Sequence, residues 1–473
     1  MAQIPLRELA QGVDSAFESW ALDLLRRQSV DHVELRLEAT ESLSLERTGV
    51  RAPRIERQEA LGGNVRATLS GFSSFVHFDG LERIEMAVRE AVCIAKIAAS
   101  LGGERSRDWA PVEPVRARFA VPFVEDPRLV PLEEKIRILD GYRDLMHAAD
   151  ERVAAVQWRY FDRFRRLWLV TSAGALIVQE KCDLGGGVVA VVRRSGESTQ
   201  RGVPFGSSND FGAVRRLSEG VRKAACTAVQ MLDAQPLSPG EYTVVCDPEL
   251  TGVFTHEAFG HLSEADGQIH DAGLLAELRI GRRFGPEELH IYDTGRDEGA
   301  RGYLPIDDEG TPAEDVDLIR EGSLVGRLHS RRTAGVMGER ATGNGRAISY
   351  LHPPIVRMRN TVMAPGTTPR EDLFTGIERG IYAKGSSGGQ TNGELFTFRA
   401  AEAYLIEQGR ITAPLRSAIL TGNVFSTLGC ISAIGSDFTR YEGGGGCGKA
   451  GQMPLPVSHH APSLRIEKCL VGG

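Results

Sequence analysis

The chain has few cysteines, no long apolar run and no excess of positive charge, and each of these absences excludes a class of protein. Seven cysteines in 473 residues are too sparse for the disulfide framework of a small secreted domain, and an odd number leaves at least one thiol free. No segment approaches the roughly 18 consecutive apolar residues of a membrane span, and the N-terminal sequence lacks a basic stretch followed by an apolar one. We therefore expect a cytoplasmic protein without a membrane partner.

The charge balance argues against one further class of partner. The chain has 56 Lys and Arg against 63 Asp and Glu, which gives a net charge of −7. Binding to nucleic acid depends on clustered basic side chains, and because no basic stripe is present we expect no nucleic-acid partner. Glycine is abundant, with 54 of 473 residues, which is about 11% against an ordinary level of about 7%. It is concentrated toward the C-terminal half. Tight turns and close backbone approaches are expected there.

Hydrophobic periodicity in the first half of the chain predicts amphipathic helices packed on antiparallel strands. Apolar residues recur at helical spacing in residues 13–28, 81–99 and 131–149, and the second of these segments stops at Gly102. Alternation in residues 33–38 predicts a strand with its apolar side buried, and residues 167–178 have the pattern of a hairpin. Helices followed by paired strands indicate the α+β class.

Two proline-containing stretches divide the chain. The prolines of residues 109–127 exclude a continuous helix or a central strand, and a second linker candidate spans residues 233–240. Beyond it, strand-like pieces and glycine turns dominate. We predict an N-terminal segment of residues 1–115, a middle segment of residues 116–235 that continues it as one N-terminal domain, and a mostly β C-terminal domain of residues 236–473.

Residues 247–266 of the C-terminal domain give the clearest chemical signal. Asp247 is suited to cap a helix and Pro248 to occupy its first position. His256, Glu257 and His261 follow on this helix and are similar to the zinc-peptidase pattern HExxH, in which two imidazoles hold a metal and the glutamate is a general base. The alternative is a buried helix whose histidines bond to neighbours and whose glutamate forms a salt bridge.

The spacing of the two histidines is five residues rather than four. At 100° per residue they would lie about 140° apart on a regular α-helix, which prevents both from binding one ion. A turn that takes in one extra residue, as a π-bulge does, would bring His256 and His261 onto one side, and such bulges are frequent at functional sites. Gly260, just before the second histidine, could ease this distortion.

A catalytic zinc site has three protein ligands and keeps a fourth position open, so a third ligand is required. The nearby candidates are Glu264, Asp266 and His270, and the distant candidate is Cys447 in the glycine-rich segment 442–452. A thiolate between glycines lies on a backbone that can approach a metal closely; the alternative is an incidental thiol in a glycine-rich loop. The other six cysteines, Cys93 among them, stand in apolar or strand-like contexts and are expected in the core.

His256-Glu257-Ala-Phe-Gly-His261 together with Gly446-Cys447-Gly448-Lys449-x-Gly451-Gln452 resembles the TldD/PmbA family of metallopeptidases. The resemblance extends over nearly the whole chain and is strongest in its C-terminal half. Further similar segments are residues 303–311, 359–360, 388–390, 396–407 and 471–473.

The resemblance implies a zinc-dependent peptidase with one Zn²⁺ per active subunit. It implies that His256, His261 and Cys447 hold the metal and that Glu257 activates the metal-bound water. It also implies a dimer, formed by two identical subunits or with a related companion subunit, that encloses a chamber for unfolded or small peptides. The alternative function is a non-catalytic peptide-binding or scaffold subunit with a structural metal, in which Glu257 would have no task.

Four further residues are candidates for contact with the peptide substrate. Asp307 and Asp308 could meet a peptide amino group, although acidic loops are usually only solvated. Lys449 stands two residues after Cys447 and either contacts substrate or is exposed. His459 and His460 lie in a proline-flanked segment and are expected at the surface, unless one of them reaches the site to assist an oxyanion.

Overall fold

The computed structural model describes residues 14–102 and 109–472, in which helices and strands alternate early and strands dominate late. The described helices are α1 (Asp14–Arg26), α2 (Ile84–Leu101), α3 (Leu132–Ala149), α4 (Gly212–Arg215), α5 (Ser218–Met231), α6 (Pro248–Thr255), α7 (Ala265–Gln268), α8 (Ala272–Glu277), α9 (Arg331–Met337) and α10 (Val424–Gly429).

The strands of the N-terminal half are β1 (His32–Thr48), β2 (Arg54–Leu69), β3 (Phe72–Asp79), β4 (Arg116–Phe119), β5 (Val153–Thr171), β6 (Leu176–Arg194) and β7 (Glu197–Ser207). Those of the C-terminal half are β8 (Gly240–Cys246), β9 (Ile291–Thr294), β10 (Val316–Arg320), β11 (Ser323–Leu324), β12 (Gly345–Arg346), β13 (Ile355–Val356), β14 (Asn360–Met363), β15 (Arg379–Asn392), β16 (Leu395–Glu407), β17 (Arg410–Leu415), β18 (Ile419–Asn423), β19 (Ile431–Ile434), β20 (Thr439–Tyr441), β21 (Cys447–Lys449), β22 (Gln452–Leu455), β23 (Ser458–Ala461) and β24 (Leu464–Gly472).

The N-terminal half forms one seven-stranded sheet, here called the first sheet, in the order β3-β2-β1-β5-β6-β4 with β7 paired to β6. Its longest strands, β1, β5 and β6, have 17 to 19 residues. Helices α1 and α2 pack on one part of these long strands, and α3 and α5 pack on another part. The proline-containing stretch 109–127 contributes only the short strand β4, which runs parallel to β6. Residues before and after that stretch therefore share one sheet.

The predicted N-terminal helices and the predicted hairpin are confirmed. The segment 131–149 is α3, and the segment 81–99 is a short 3-10 turn followed by α2, which ends before Gly102 at a φ of 65°. The helix expected from residue 13 is α1, although Val13 itself lies outside the described residues. Strands β5 and β6 pair antiparallel, with Val170 opposite Leu176, as the hairpin pattern predicts. The α+β class follows from these elements.

The charged side of β1 is buried as well, which the alternation did not reveal. Val33 and its apolar neighbours face the helices, whereas Glu34 and Arg36 are each only 2% exposed on the other side. The C-terminal half covers this side. Arg36 lies 3.7 Å from Asp308, and Arg66 on β2 pairs with Glu309 at 2.9 Å. The two halves of the chain therefore meet through a buried ionic interface.

The C-terminal half contains two larger sheets. A seven-stranded sheet has the order β15-β8-β24-β18-β16-β17 with β19 on β24, and a six-stranded sheet has the order β11-β10-β9-β14-β23-β20. A large apolar cluster that includes Leu250, Phe254 and Phe259 lies in this half. Strand β8 pairs with β15 on one side and β24 on the other, and helix α6 follows it directly. The C-terminal half is mostly β, as predicted, and helix α6 stands at the end of the interior strand β8.

The cysteine expectation holds only in part. Cys182, Cys246 and Cys469 are buried and Cys430 is half-buried against the core, but Cys93 and Cys226 are exposed, so the expectation is wrong for these two. Cys93 stands on the side of α2 opposite its buried residues, since helical periodicity turns it away from the sheet. Among the described residues, no helix is long and apolar enough to cross a membrane.

Candidate metal centre

Helix α6 begins with the predicted cap. The Asp247 carboxylate accepts the backbone N–H of Leu250 at 2.9 Å and that of Gly385, on β15, also at 2.9 Å. Pro248 occupies the first turn, where its missing N–H costs nothing. The cap therefore also ties the start of α6 to the neighbouring strand, which fixes the direction in which the helix leaves β8.

The helix changes its winding where the first histidine stands. The α-helical part ends at Thr255, residues His256–Gly260 form a π-helical turn, and a 3-10 turn follows from His261 to Ser263. A π turn brings residues five apart onto the same side, and the ring centroids of His256 and His261 lie 5.1 Å apart. The bulge that the five-residue spacing requires is thus present.

Gly260 is required by packing rather than by backbone strain. Its φ of −56° and ψ of −50° are ordinary for a helix. A Cβ at this position would collide with Sδ of Met358, whose side chain is fully buried. The glycine allows the wide turn to lie directly against β14 and the residues before it.

Cys447 completes a compact group with the two histidines, here called the His–Cys cluster. Its Sγ lies 3.2 Å from Nε2 of His256 and 3.3 Å from Nε2 of His261, and the three atoms lie within 4.8 Å of one another. In a tetrahedral zinc site with ordinary Zn–S and Zn–N bonds, ligand atoms are about 3.5 Å apart. Within residues 14–102 and 109–472, this is the one group of three or more such side chains close enough to hold a single ion.

Electrostatics inside the His–Cys cluster favour the thiolate. Burial opposes ionisation of Cys447, but the adjacent His256 and His261 outweigh it and lower the pKa of the thiol to about 4. Burial also opposes a charge on His261, whereas Cys447 and Glu264 raise the pKa of that imidazole to about 10. Because the thiolate is the form in which cysteine binds metals, the donor set fits zinc.

Glu264 and Lys449 support the second histidine from behind. Oε2 of Glu264 lies 3.0 Å from Nδ1 of His261, and the Lys449 ammonium donates to Glu264 at 2.8 Å and to Asp266 at 2.5 Å. Burial opposes the charge of Glu264, but Lys449 and His261 lower the pKa of its carboxyl to about 2. A carboxylate on the far nitrogen of a metal-binding histidine fixes the orientation of the ring.

The hydrogen bonds around Lys449 and His261 engage two of the nearby candidates for the third metal ligand, Glu264 and Asp266. Glu264 faces Nδ1 of His261 and Asp266 faces Lys449, so both carboxylates are engaged outside the His–Cys cluster. His270 lines a different cavity, together with Asp266. Lys449, a candidate for substrate contact, holds two ion pairs within the chain.

Glu257 lies beside the His–Cys cluster. Its Oε2 is 3.9 Å from Nε2 of His261, and its side chain is 21% exposed. Its backbone carbonyl accepts a hydrogen bond from Oγ1 of Thr391 at 2.6 Å, which anchors the π turn to β15. Burial raises the pKa of the Glu257 carboxyl, and the attraction of His256 and His261 offsets part of this. A raised pKa suits a group that first takes and later returns a proton.

A cavity of about 410 Å³ lies over the His–Cys cluster. Strands β6 and β7 of the first sheet form one wall, and α6 and the glycine-rich loop 443–446 form others. Its lining includes His256, Glu257, Cys447 and His459. The cavity therefore joins the metal-binding helix to the N-terminal half of the chain.

The surface position expected for His459 and His460 is wrong, and His459 instead reaches the site, which was the stated alternative. The His459 ring lines the cavity with its centroid 4.7 Å from that of His256, and His460 is only 4% exposed. Their strand, β23, lies between β14 and β20 inside the six-stranded sheet. Nδ1 of His459 has no hydrogen-bond partner among the described residues.

Asp307 and Asp308 are both buried and do not line this cavity. The Asp307 carboxylate accepts the backbone N–H groups of Thr311 and Gly345, each at 2.8 Å. Burial, with the nearby Glu309, raises the pKa of the Asp307 carboxyl to about 7. Asp308 accepts a hydrogen bond from Lys181 of β6 at 2.9 Å. Asp308 is therefore engaged at the ionic interface between the two halves, whereas Asp307 binds backbone N–H groups within the C-terminal half.

Two cavity residues escaped the sequence reasoning. Glu249, in the first turn of α6, lines the cavity because it precedes His256 by seven residues, which is two helical turns. That spacing was a usable signal. Arg301 also lines the cavity, and its sequence surroundings contained no signal, since its partners come from distant segments.

Comparison with known proteins identifies the family. The model of the PmbA/TldA metallopeptidase central domain matches residues 125–232, and that of the C-terminal domain matches residues 239–473. The chain is 41% identical over 449 residues to Metalloprotease slr0863 of Synechocystis sp., covering 94% of this chain and 96% of that protein. The chain belongs to the TldD/PmbA family of metallopeptidases. Its membership places it among the enzymes that hydrolyse peptide bonds.

Two further comparisons, one of sequence and one of structure, extend these matches. The chain is 33% identical over 352 residues to the zinc metalloprotease TldD homolog of Saccharolobus solfataricus, covering 72% of this chain and 76% of that one. The crystal structure of TldE from Thermococcus kodakarensis has a TM-score of 0.74 at 18% identity, covering 97% of this chain and 99% of that chain. At this low identity the second match shows a common fold alone. The family resemblance expected from the motifs is thereby confirmed.

Proposed function

We propose that this TldD/PmbA chain is a zinc-dependent peptidase in which His256, His261 and Cys447 hold the metal and Glu257 is the general base. The observation that carries the proposal is the convergence of one thiol and two imidazoles, separated by 186 and 191 residues of chain, beside a cavity. A soft thiolate with two imidazoles favours zinc, and three protein ligands leave a fourth position for water. We propose one Zn²⁺ per active subunit.

The residues around the cluster divide the chemistry among them. When bound, zinc supplies Lewis-acid polarisation of the scissile carbonyl and lowers the pKa of a water molecule. Glu257, on the cavity side, accepts a proton from the attacking water and returns it to the leaving amine. Glu264 holds Nδ1 of His261, so that Nε2 points toward Cys447. His459, whose ring lies beside that of His256, contacts the substrate, where a neutral imidazole can donate to the developing oxyanion.

The cavity limits the substrate. A volume of about 410 Å³ accommodates a short stretch of extended peptide and no folded domain, so the substrates are unfolded or small peptides. The enzyme acts as a dimer around an enclosed chamber, formed with a second copy or with a related companion chain. The likeness to TldE supports the existence of related chains with the same fold. A cytoplasmic location keeps the Cys447 thiol reduced.

The proposal is tested by zinc content and peptide hydrolysis of the purified protein. Wild type is expected to carry one zinc per chain and to hydrolyse unstructured peptides. Glu257→Gln keeps the zinc and loses about 10²- to 10⁴-fold in rate, and Cys447→Ala loses most of the zinc. Full activity of Glu257→Gln would remove Glu257 from the mechanism. Bound zinc without hydrolysis in wild type would favour the non-catalytic alternative.

A further inference from the structure

A close contact between glycines joins the first sheet to the loop that carries Cys447. A Cβ at Gly444 would collide with the backbone of Gly186 on β6, and a Cβ at Gly185 would come within 3.3 Å of the Gly444 Cα. Two stretches of backbone therefore lie against each other with no side chain between them, here called the glycine contact (Gly185, Gly186 and Gly444). Any side chain at Gly444 would push the loop away from the sheet.

Arg301 fastens the same loop from a second direction. Its Nη1 donates to the carbonyl of Gly443 at 2.5 Å and also to the carbonyl of Gly445. Its Nε and Nη2 donate to the two carboxylate oxygens of Asp183, on β6, at 2.6 and 3.0 Å. The guanidinium is thus shared between the loop and the first sheet, and its side chain is only 1% exposed.

The surroundings of Arg301 are built to hold it in this place. A Cβ at Gly206 on β7 would come within 2.5 Å of Cδ of Arg301, so the absence of a side chain there makes room for the arginine. The backbone N–H of Arg301 donates to Oγ of Ser458 at 2.9 Å, and Ser458 immediately precedes His459. Arg301 therefore contacts β6, the loop 443–446 and β23, and each of these segments contributes residues to the cavity lining.

We propose that Arg301 is a positioning residue for the metal site, and that through Asp183 and the glycine contact the first sheet holds the Cys447 thiol at its distance from the two imidazoles. Cys447 directly follows the loop 443–446, so a displacement of the loop moves Sγ relative to His256 and His261. The assignment of Cys447 as a metal ligand rests on the proposed function. The placement of the thiol by Arg301 does not depend on the proposed function.

Arginine is the side chain that this task demands. Its planar fork offers separate N–H groups for the two glycine carbonyls and for a two-point contact with Asp183, whereas a lysine is a point charge on a flexible stem. Arg301→Lys therefore keeps the attraction to Asp183 and loses the simultaneous hold on the loop. Its effect should fall between that of wild type and that of Arg301→Gln.

The first measurement is metal affinity, by competition with a chelator, together with the absorption spectrum of the cobalt-substituted protein. Arg301→Gln and Gly444→Ala are expected to raise the Kd for zinc about 10- to 100-fold and to weaken the thiolate-to-cobalt charge-transfer band. Gly141→Ala is the matched glycine control, because an added Cβ on α3 meets no atom within 4 Å. Arg215→Gln is the arginine control, since Arg215 pairs with Glu125 and Glu134 at the surface. Both controls should match wild type.

The second measurement needs no metal. The alkylation rate of Cys447 is followed by mass spectrometry in metal-free protein, at a pH well above the ordinary pKa of a thiol. Because Cys447 is only 5% exposed, release of the loop by Arg301→Gln or Gly444→Ala should accelerate alkylation, with the controls unchanged. Asp183→Asn, which keeps the shape of the side chain, should act in the same direction and less strongly.

The two measurements separate this proposal from the proposed function. Unchanged zinc affinity and unchanged alkylation in Arg301→Gln would overturn the positioning role. If wild type binds no zinc and the variants still alkylate faster, the metal assignment fails and the positioning stands. Should Arg301→Gln and Gly444→Ala fail to fold, Arg301→Lys and Asp183→Asn decide, and wild-type values in both would overturn the proposal.

Discussion

Gly260→Ala is expected to destabilise the protein and to weaken zinc binding, although alanine is the better helix former. Alanine is favoured over glycine inside a helix by about 0.5–1 kcal/mol. At this position the new Cβ collides with Sδ of Met358 and lies 3.3 and 3.5 Å from its Cε and Cγ. Overpacking a buried site costs about 1–3 kcal/mol, so the expected net loss in free energy of unfolding is about 1–2 kcal/mol. His261 follows directly, so its imidazole is displaced as well.

Two further variants decide whether this reasoning is correct. Gly267→Ala is the matched control, because its added Cβ meets no atom within 4 Å and reports the helix preference alone. In Gly260→Ala/Met358→Ala the sulfur is gone, and the loss should be smaller than the sum of the single losses by about 0.5–3 kcal/mol. Urea unfolding of metal-free protein and chelator competition for zinc give the two readouts. A Gly260→Ala variant that behaves like Gly267→Ala, or strict additivity in the double variant, would refute the argument.

Three further outcomes are expected. Glu264→Gln should weaken zinc binding about 10- to 100-fold, measured by chelator competition, because His261 loses its charged partner; wild-type affinity would contradict this support. His459→Phe should lower kcat/KM for peptides with zinc content unchanged, and an unchanged value would remove His459 from the substrate site. Burial opposes the charge of Glu34, but Arg66 and His32 hold the pKa of its carboxyl at about 2 instead of 4.5, which corresponds to about 3 kcal/mol. This stability is present above pH 4.5 and is lost as the pH falls toward 2, so the difference in unfolding free energy between wild type and Glu34→Gln should shrink in that window. A difference that does not depend on pH would contradict the assignment.

The metal-binding helix was predictable because local rules decide it. Asp247 and Pro248 mark its start by capping chemistry, and the five-residue spacing of His256 and His261 demands the wide turn that the structure has. Cys447 is different. It lies 191 residues beyond His256, and no periodicity links the two, so only the family motif singled it out from the nearer candidates.

The misplaced residues share a physical cause. Alternation along β1 states which side chains share a face, and it carries no information about what covers that face. Glu34 and Arg36 are therefore buried by a part of the chain that the local pattern does not contain. The prolines near His459 predict a loop, whereas its strand is inserted between two others of the six-stranded sheet. The partners of Arg301 could not be predicted from local sequence either, since they come from three separate segments.

The ionic interface between the first sheet and the C-terminal half has a consequence for how this chain can vary. Buried ion pairs add little net stability, but loss of one partner leaves a costly buried charge. Replacement of an apolar residue under α1 or α2 leaves no unpaired charge. Such residues can therefore change one at a time, as long as side-chain volume is conserved. Arg66 pairs with Glu309 at 2.9 Å and with Glu34 at 2.6 Å, so a change of Arg66 requires changes of both carboxylates. A charge swap of Arg66 and Glu309 alone should fail to restore stability, because the new carboxylate would be buried against that of Glu34.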